Sequence, residues 1–321
     1  MKKIVIGDTS VGTLNLGTEI IMRYSYGALK PVIDGNLVIT IPTHTPAFHS
    51  YQMKSDLAKW VKSADYRFIC GSNLLASRMS LRNPLWNINI FNSSPLKNCI
   101  LVGVGRSKVN QKDNLYTRLL YNKVLSKDVY HSVRDEETKL LLERLGFKAI
   151  NTGCISLWGF TEEFCKTINT KKSPYVVTSL NCKSQDTQKD KAVFELLKKK
   201  YEKIYFWPQT IGDIEYLKNL HIDNKIEILS NSVQEFGDFL DNNDVDYVGA
   251  RLHGGIFCMH HRIRSVILSV DYRSLDMQKS NNLNVIDRSD INKIEQAIDS
   301  EWSTEVKLDL ESIHKWIGQF V

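Results

Sequence analysis

An arginine and a histidine stand two residues apart in the second half of the chain, in the segment VDYVGARLHGGIFCMHH. The mostly apolar segment Asp246–Ala250 predicts a buried strand before Arg251, and the residues after His253 predict a short helix that starts at two glycines. In a parallel α/β sheet, ligands bind at the carboxyl ends of the strands, and a helix N-terminus presents free N–H groups to an anion. Because Arg251 and His253 point the same way in extended backbone, they could hold a small phosphorylated or carboxylated ligand.

The same segment also has a purely structural interpretation. An arginine before a helix can bond backbone carbonyls or pair with a surface acid, and Gly254 and Gly255 can simply allow close packing. The choice between the two interpretations depends on the other strand ends of the chain.

Two further strand ends carry polar residues that suit an anionic ligand. Arg134 follows the predicted strand Val129–Val133, and Asp135 after it is a good N-cap for the next helix. A cation at a helix N-terminus is disfavoured unless an anion lies beside it, so Arg134 is a candidate anion-binding residue. Gln209 follows the predicted strand Lys203–Trp207 and is either a polar site residue or an ordinary turn residue.

Strand ends in the first half supply candidates for contact with a second substrate, namely Asn15, Gly17, His44 and Asn73. The loop that holds Asn15 and Gly17 matches neither the GxGxxG pattern nor a Walker A loop, so neither a nicotinamide dinucleotide nor ATP is indicated. An ordinary connecting loop is the alternative. The spacing of His44 and His49 gives little support to a metal site, and we expect neither a metal nor a cofactor.

Length and composition bound the class of protein. The chain has 321 residues, 42% of them hydrophobic and 24% charged, which is ordinary for a globular protein and allows two domains of about 150 residues each. We judge the net charge of +6 too small and too dispersed to indicate nucleic acid, and equally suited to an anionic ligand or an anionic membrane surface. Six cysteines without CxxC spacing indicate buried free thiols in a reducing compartment.

Targeting signals are absent from the sequence pattern. The N-terminus reads as a first strand rather than a signal peptide, and no apolar stretch is long enough for a membrane helix. We therefore expect a cytoplasmic protein, and association with the inner face of the membrane stays open.

Short β-rich apolar runs alternate with helical patterns along the chain, which predicts an α/β fold with parallel, doubly wound sheets. Strands are predicted at 3–6, 37–41, 67–70, 99–104, 129–133, 149–151, 175–179, 203–207, 227–229, 246–248, 265–270 and 284–286, and helices at 18–29, 55–62, 114–126, 135–145, 188–200, 213–220, 233–240, 255–261 and 290–298. The polar segment 169–174 is a candidate linker. We therefore expect two Rossmann-like domains, 1–168 and 174–300, that face a cleft, with residues 301–321 packing back on the first.

Taken in order, these pieces resemble the polysaccharide pyruvyl transferase family over roughly residues 4–275. The matching residues are Asn15-Leu16-Gly17, Gly71 with Leu74-Leu75, Gly103-Val104-Gly105, Ser132-Val133-Arg134-Asp135 with Gly146, Pro208-Gln209 with Asp213, and Arg251-Leu252-His253 followed by Asp271. The Arg-Leu-His and Arg-Asp motifs are the most specific of these. The chain departs from the family pattern at Thr18-Glu19, where the family often has an aspartate, and at Gly71-Ser72-Asn73, where it often has a run of glycines.

The resemblance implies a glycosyltransferase-B-like pair of domains, phosphoenolpyruvate as donor and a sugar as acceptor. The product would be a pyruvate ketal on a cell-surface glycan, such as a capsule or exopolysaccharide, or on its lipid-linked precursor. In that family, the residues that match Arg134, Arg251 and His253 are implicated in donor binding and catalysis.

The chemistry of phosphoenolpyruvate fits these residue types. Arginines bind carboxylate and phosphate groups in bidentate fashion, and a histidine can donate and accept protons near neutral pH. We expect the catalytic residues to be His253, Arg134 and Arg251. We expect the donor site to consist of Arg134, Gln209, Arg251, Leu252, His253 and Gly254, and the acceptor site of Asn15, Gly17, His44 and Asn73.

Two other classes of function stay open. A sugar-nucleotide glycosyltransferase of the same fold would need an acidic residue to hold the ribose, for which Glu235 and Asp238 are candidates at a weak spacing. A non-catalytic binding or scaffold protein would keep the fold and bind neither donor.

Overall fold

Strands and helices alternate along almost the whole chain. The computed structural model describes residues 1–83, 85–107, 112–222, 226–270 and 272–321, with 272 and 273 described by their backbone alone. In these ranges the strands are β1 (Lys3–Asp8), β2 (Leu37–Pro42), β3 (Tyr66–Cys70), β4 (Cys99–Val102), β5 (His131–Val133), β6 (Ala149–Asn151), β7 (Tyr175–Thr178), β8 (Lys203–Phe206), β9 (Ile226–Ile228), β10 (Val245–Gly249), β11 (Ser265–Ser269) and β12 (Val285–Asp287).

The α-helices lie between these strands and at the end of the chain. They are α1 (Leu16–Ile33), α2 (Asp56–Lys62), α3 (Leu115–Val124), α4 (Glu136–Arg144), α5 (Glu162–Cys165), α6 (Thr187–Lys200), α7 (Ile211–Asn219), α8 (Val233–Asp241), α9 (Leu252–His260), α10 (Tyr272–Asn281), α11 (Ile291–Asp299) and α12 (Leu310–Ile317). None of the helices in the described ranges is long and apolar enough to span a membrane.

Each predicted strand and helix has a counterpart in the structure; β6 has the predicted ends, and the ends of the others differ. Helix α1 is longer than predicted, because it begins at Leu16 and continues past Pro31. Helix α10 was not predicted, because its sequence YRSLDMQKSN has no clear apolar periodicity. Asp271, which closes the matched family pattern, lies outside the described residues.

Contacts divide the chain into two compact units. Unit 1 comprises residues 1–13, 21–158 and 309–321, and unit 2 comprises residues 14–20 and 159–308. The boundary therefore falls before the polar segment 169–174 that we expected to be the linker. Residues 159–168 belong to unit 2 because the rings of Phe160 and Phe164 lie 4.3 and 5.9 Å from that of His260.

Unit 1 is built on a parallel four-stranded sheet in the order β2-β1-β3-β4, with β5 and β6 forming a separate parallel pair. Side chains alternate between its faces, so Val5 and Ile69 enter one core cluster while Ile4 and Phe68 enter another. Both faces of β1, β3 and β4 are buried, whereas the edge strand β2 is largely exposed. Burial on both faces is the usual state of a parallel sheet and explains the near-continuous apolar runs in the inner strands.

The last helix, α12, covers one face of this sheet. The ring of Trp316 lies 6.2 Å from that of Phe68, and its Nε1 donates to the carbonyl oxygen of Tyr130 at 2.8 Å. Phe320, just beyond the helix, packs edge-on against Phe68 at 5.1 Å. The C-terminal segment is therefore part of the core of unit 1.

Unit 2 is built on a parallel six-stranded sheet in the order β12-β11-β10-β7-β8-β9. The chain runs outward from β7 to β9, crosses back, and then runs outward from β10 to β12. This order is the doubly wound arrangement typical of Rossmann-like domains, with its switch point between β7 and β10.

Substitution of Gly71, directly after β3, tests how closely the side chains of unit 1 pack at this position. Its φ of +59° is left-handed, and a Cβ there would lie 2.2 Å from Cγ2 of Ile21. We expect Gly71→Ala to lower the free energy of unfolding by about 2 kcal/mol or more, measured by urea denaturation.

Gly27 is the matched control, because it lies within α1 and a Cβ there would meet nothing within 4 Å. Gly27→Ala should raise the free energy of unfolding by up to about 1 kcal/mol through helix propensity. Equal effects of the two substitutions would contradict the tight contact at Gly71.

Candidate functional site

The loops that follow β7 and β10 meet at the switch point of the unit 2 sheet. In doubly wound sheets, the crevice outside the carboxyl ends of two such strands is where ligands bind. Leu180 and Asn181 follow β7, and Arg251 follows β10. The Arg-Leu-His segment therefore lies where the fold itself favours a binding site.

The guanidinium of Arg251 is held by protein groups at this point. Nε donates to the carbonyl oxygen of Leu180 at 2.8 Å, and Nη2 donates to Oδ1 of Asp213. The side chains of Arg251 and Asp213 are 9% and 0% exposed, so they form a buried ion pair. These two nitrogens are therefore engaged within the protein, whereas the sequence led us to expect a bidentate clamp on a ligand.

The carboxylate of Asp213 also fixes two loops. Its Oδ2 accepts from the backbone N–H groups of Gln209 and Thr210, both at 3.1 Å, and its Oδ1 accepts from that of Cys182 at 3.1 Å. Thr210 is the N-cap of α7 and forms a capping box with Asp213. One buried carboxylate thus connects the loops after β7 and β8 to the Arg251 side chain.

A small polar recess lies beside this network within unit 2. It has a volume of ≈ 50 Å³ and is lined by Asn15, Gly17, Asn181, Gln209, Ala250, Arg251, Leu252, His253, Leu268, Val270 and Ser274. Among these described lining residues, none has an acidic side chain. One bound water needs roughly 10–15 Å³ of cavity volume measured in this way. The recess therefore suits a group the size of a phosphate or carboxylate rather than a whole hexose.

Gln209 contributes an unpartnered donor to the recess. The residue is 2% exposed, and its Nε2 has no hydrogen-bond partner among the described residues. Nε2 lies 2.8 Å from the point where a Cβ on Gly254 would stand, so it faces the first turn of α9. A buried donor without a partner costs roughly 1–3 kcal/mol, which makes Gln209 a candidate to bind a ligand acceptor.

Two helix N-termini lie close to Gln209. The N–H of Leu16, the first residue of α1, donates to the carbonyl oxygen of Gln209 at 3.2 Å. Helix α9 begins at Leu252, and Arg251 at its N-cap position has no side-chain capping bond to the first turn. The N–H groups and the positive dipole end of such a turn favour an anion.

Asn15 and Gly17, which we expected on the acceptor side, belong to this recess. A Cβ on Gly17 would lie 3.2 Å from Oε1 of Gln209, and the N–H of Gly17 donates to Oδ1 of Asn15 at 3.1 Å. They therefore lie with Gln209 and His253 in unit 2, whereas His44 and Asn73 belong to unit 1.

A second basic site lies in unit 1 at the end of β5. The Arg134 side chain is 8% exposed; its Nη2 donates to Oδ1 of Asn73 and its Nε to Oδ2 of Asp135 at 3.4 Å. Asp135 also caps α4 by accepting from the N–H of Thr138. A Cβ on Gly105 would lie 2.4 Å from Nε of Arg134, so a larger residue there would displace the guanidinium.

The remaining candidates from the sequence lie outside the recess. His44 is half-buried beside Oγ1 of Thr43 at 3.1 Å, and burial lowers its pKa below the usual value, so its ring is neutral at pH 7. Glu235 and Asp238 are exposed on α8. Neither of these acids lines the recess, and a ribose bound there would not meet them.

Sequence reasoning missed several residues of the site. Asn181 and Ser274 line the recess, and Asp213 was noted only as part of the family resemblance. Asn181 follows β7, so a correct prediction of the strand order would have placed it at the switch point.

Solved structures with the same architecture define the class of fold. Over 98% of this chain and 91% of the other, the structure resembles the S. aureus MnaA-UDP co-structure at 11% identity, with a TM-score of 0.52. A Listeria monocytogenes structure assigned as a UDP-N-acetylglucosamine 2-epimerase gives the same TM-score of 0.52 at 10% identity, over 98% and 90% of the two chains. The expected class, α/β with Rossmann-like units of the glycosyltransferase-B type, is confirmed.

The family follows from the sequence itself. The model of the polysaccharide pyruvyl transferase family matches residues 20–272, which is most of the chain. The chain therefore belongs to the polysaccharide pyruvyl transferase family, as the Arg-Leu-His and Arg-Asp motifs indicated. A comparison with curated proteins finds no match.

The Asp213 carboxylate gives a testable prediction for stability. Asp213→Asn removes the negative partner of a buried guanidinium, so we expect the free energy of unfolding to fall by about 3 kcal/mol. Urea denaturation followed by circular dichroism measures this change.

Asp56→Asn is the control, because Asp56 pairs with Lys59 at 2.9 Å and its side chain is 99% exposed. It should leave the free energy of unfolding almost unchanged. A similarly small effect of Asp213→Asn would show that the buried pair does not hold the loops together.

Proposed function

We propose that this protein transfers the pyruvate group of phosphoenolpyruvate to two hydroxyls of a sugar, as a step in the assembly of a cell-surface polysaccharide. The product is a pyruvate ketal. Membership of the polysaccharide pyruvyl transferase family supports the reaction class. The main structural support for a binding site is the unpartnered Nε2 of Gln209. It lies in the recess, whose described lining has no acidic side chain.

An anionic group of phosphoenolpyruvate suits this recess. The volume of ≈ 50 Å³ accommodates one phosphate or one carboxylate. Such a group would accept hydrogen bonds from Gln209 and from the first turn of α9, and the helix dipole favours its charge. The glycine at 254 is needed because a Cβ there would approach both Gln209 and the hydroxyl of Tyr247, at 2.8 and 3.0 Å.

The reaction needs one proton donor and two proton acceptors in sequence. The methylene carbon of phosphoenolpyruvate takes a proton, and a sugar hydroxyl oxygen attacks the central carbon and loses its own proton. The bond between that carbon and the phosphate oxygen breaks, which releases phosphate. A second sugar hydroxyl then attacks the same carbon and loses its proton, which completes the ketal.

His253 is the residue we assign to proton transfer. It is half-buried, lies in the first turn of α9 and lines the recess, beside the proposed site of the anion. An imidazole can give and take protons at neutral pH, and such general acid–base catalysis contributes about 10²–10⁴-fold to rate.

Arg251 and Arg134 receive different roles in the proposal. Because Asp213 and Leu180 occupy two nitrogens of Arg251, we assign Arg251 mainly to positioning the start of α9 and the loop of Gln209. Arg134 has a weaker ion pair, at 3.4 Å from Asp135, and lies next to the N-terminus of α4 in unit 1. It keeps its proposed role as an anion-binding residue.

If Gln209 binds the donor, replacing it should weaken the binding of phosphoenolpyruvate without lowering the stability of the unliganded protein. Gln209→Met keeps the volume and removes the unpartnered Nε2, so the free energy of unfolding without ligand should stay constant or rise by about 1 kcal/mol. Phosphoenolpyruvate at 100 times its dissociation constant adds about 2.7 kcal/mol to the wild type, and the variant should bind about tenfold more weakly. Thermal unfolding with and without phosphoenolpyruvate measures both effects.

The control for this variant is Gln234→Met, because Gln234 is exposed on α8. It should respond to phosphoenolpyruvate as the wild type does. Full stabilisation of Gln209→Met by phosphoenolpyruvate would place the donor elsewhere.

His253 predicts a separation of binding from turnover. We expect His253→Asn to reduce kcat by about 10²-fold or more, while thermal stabilisation by phosphoenolpyruvate is largely kept. The measurement is phosphate release in the presence of a sugar acceptor. Unchanged kcat in this variant would exclude His253 as the proton donor.

A sugar-nucleotide glycosyltransferase is the competing proposal, and the same thermal unfolding experiment distinguishes it. Stabilisation by UDP- or GDP-sugars and not by phosphoenolpyruvate would favour it. Stabilisation by neither would favour a binding protein without catalysis.

A further inference from the structure

Five large apolar side chains of unit 1 are exposed between residues 81 and 119. The exposed fractions of Leu81, Ile90, Phe91, Leu115 and Leu119 are 54%, 37%, 62%, 72% and 59%. Single exposed apolar residues are normal, whereas a group of them marks a surface that meets something else. We call these five residues the apolar face.

Hydrogen bonds connect the segments that carry these residues. The hydroxyl of Tyr116 accepts from the N–H of Ile90 at 3.3 Å, and Nζ of Lys123 donates to the carbonyl oxygen of Ile90 at 2.5 Å. On α3, Leu119 lies between Tyr116 and Lys123 at helical spacing, so it is beside Ile90. Nδ2 of Asn89 donates to the carbonyl oxygen of Leu81 at 3.3 Å. Leu81 therefore lies close to the loop that contains Asn89 and Ile90.

The positive charge of the chain is concentrated in the same part of the sequence. Residues 71–127 contain nine lysines and arginines and one acidic residue, so the rest of the chain has a net charge of −2 against +6 for the whole. The positive charge is therefore concentrated in one part of the sequence, whereas we expected from the composition that it was dispersed. The one acid, Asp113, pairs with Arg118 at 2.7 Å and with Arg144 at 3.0 Å.

Exposed basic residues accompany the apolar face directly. Arg82 follows Leu81 and is exposed. Lys112, three residues before α3, and Arg118, within α3, are also exposed. Lys123 is half-buried at the edge of the Ile90 loop. Apolar side chains framed by lysines and arginines are the pattern of a surface that enters the headgroup region of an anionic bilayer.

We propose that the apolar face is a docking surface for an anionic lipid bilayer. The apolar side chains enter the interface between headgroups and acyl chains, and the surrounding cations are attracted to the negative lipid surface. A second copy of the chain fits less well, because it would bring two positive surfaces together. This inference does not rest on the proposed function.

The test is co-sedimentation of the full chain with vesicles of phosphatidylcholine alone and with added phosphatidylglycerol. We expect binding to the anionic vesicles, and this binding should weaken as NaCl is raised from about 0.05 to about 0.5 M. The double variant Phe91→Ser/Leu119→Ser should bind at least about tenfold more weakly. Arg82→Gln should bind the anionic vesicles about fivefold more weakly.

Leu140→Ser is the matched control, because Leu140 is 47% exposed on α4 of the same unit. It should bind vesicles as the wild type does, and thermal unfolding confirms that each variant is folded. Three results would overturn the proposal: no binding of the wild type, equal binding of the double variant, or a double variant that instead loses self-association in sedimentation velocity.

Discussion

The buried ion pair between Arg251 and Asp213 is the interaction on which the site of unit 2 depends. Desolvation offsets most of the attraction between two buried charges, so such a pair contributes little net stability. Its effect is on geometry, because the same carboxylate also accepts backbone N–H groups from the loops after β7 and β8. The loops at the switch point are therefore held in one arrangement by one side chain.

In this arrangement, an amide and a helix N-terminus face the recess beside the partly engaged guanidinium of Arg251. Part of the guanidinium of Arg251 is occupied by Asp213, while the amide of Gln209 and the start of α9 are directed at the recess. Fixed donors and dipoles of this kind stabilise an anion without reorganising when charge develops on it. A site for phosphoenolpyruvate in this unit would therefore be preorganised by backbone and amide groups.

Close backbone approach makes this arrangement sterically possible. The hydroxyl of Tyr247, on β10, bonds Oγ of Ser179 at 2.5 Å and the carbonyl oxygen of Arg251 at 2.9 Å, which joins the ends of β7 and β10. A Cβ on Gly249 would lie 2.7 Å from the N–H nitrogen of Ser179, and one on Gly255 would lie 2.5 Å from Ile267. The glycines around the Arg-Leu-His segment thus serve packing and access to the recess together.

Local sequence patterns predicted the strands, most helices, the fold class and the family, because apolar periodicity, glycine positions and the Arg-Leu-His motif are local signals. Which strand ends meet is known from the three-dimensional structure alone. That structure paired Arg251 with Asp213, 38 positions away, placed Asn15 and Gly17 beside Gln209, and assigned residues 159–168 to unit 2. These outcomes depend on strand order and on contacts between distant segments, which no local pattern encodes.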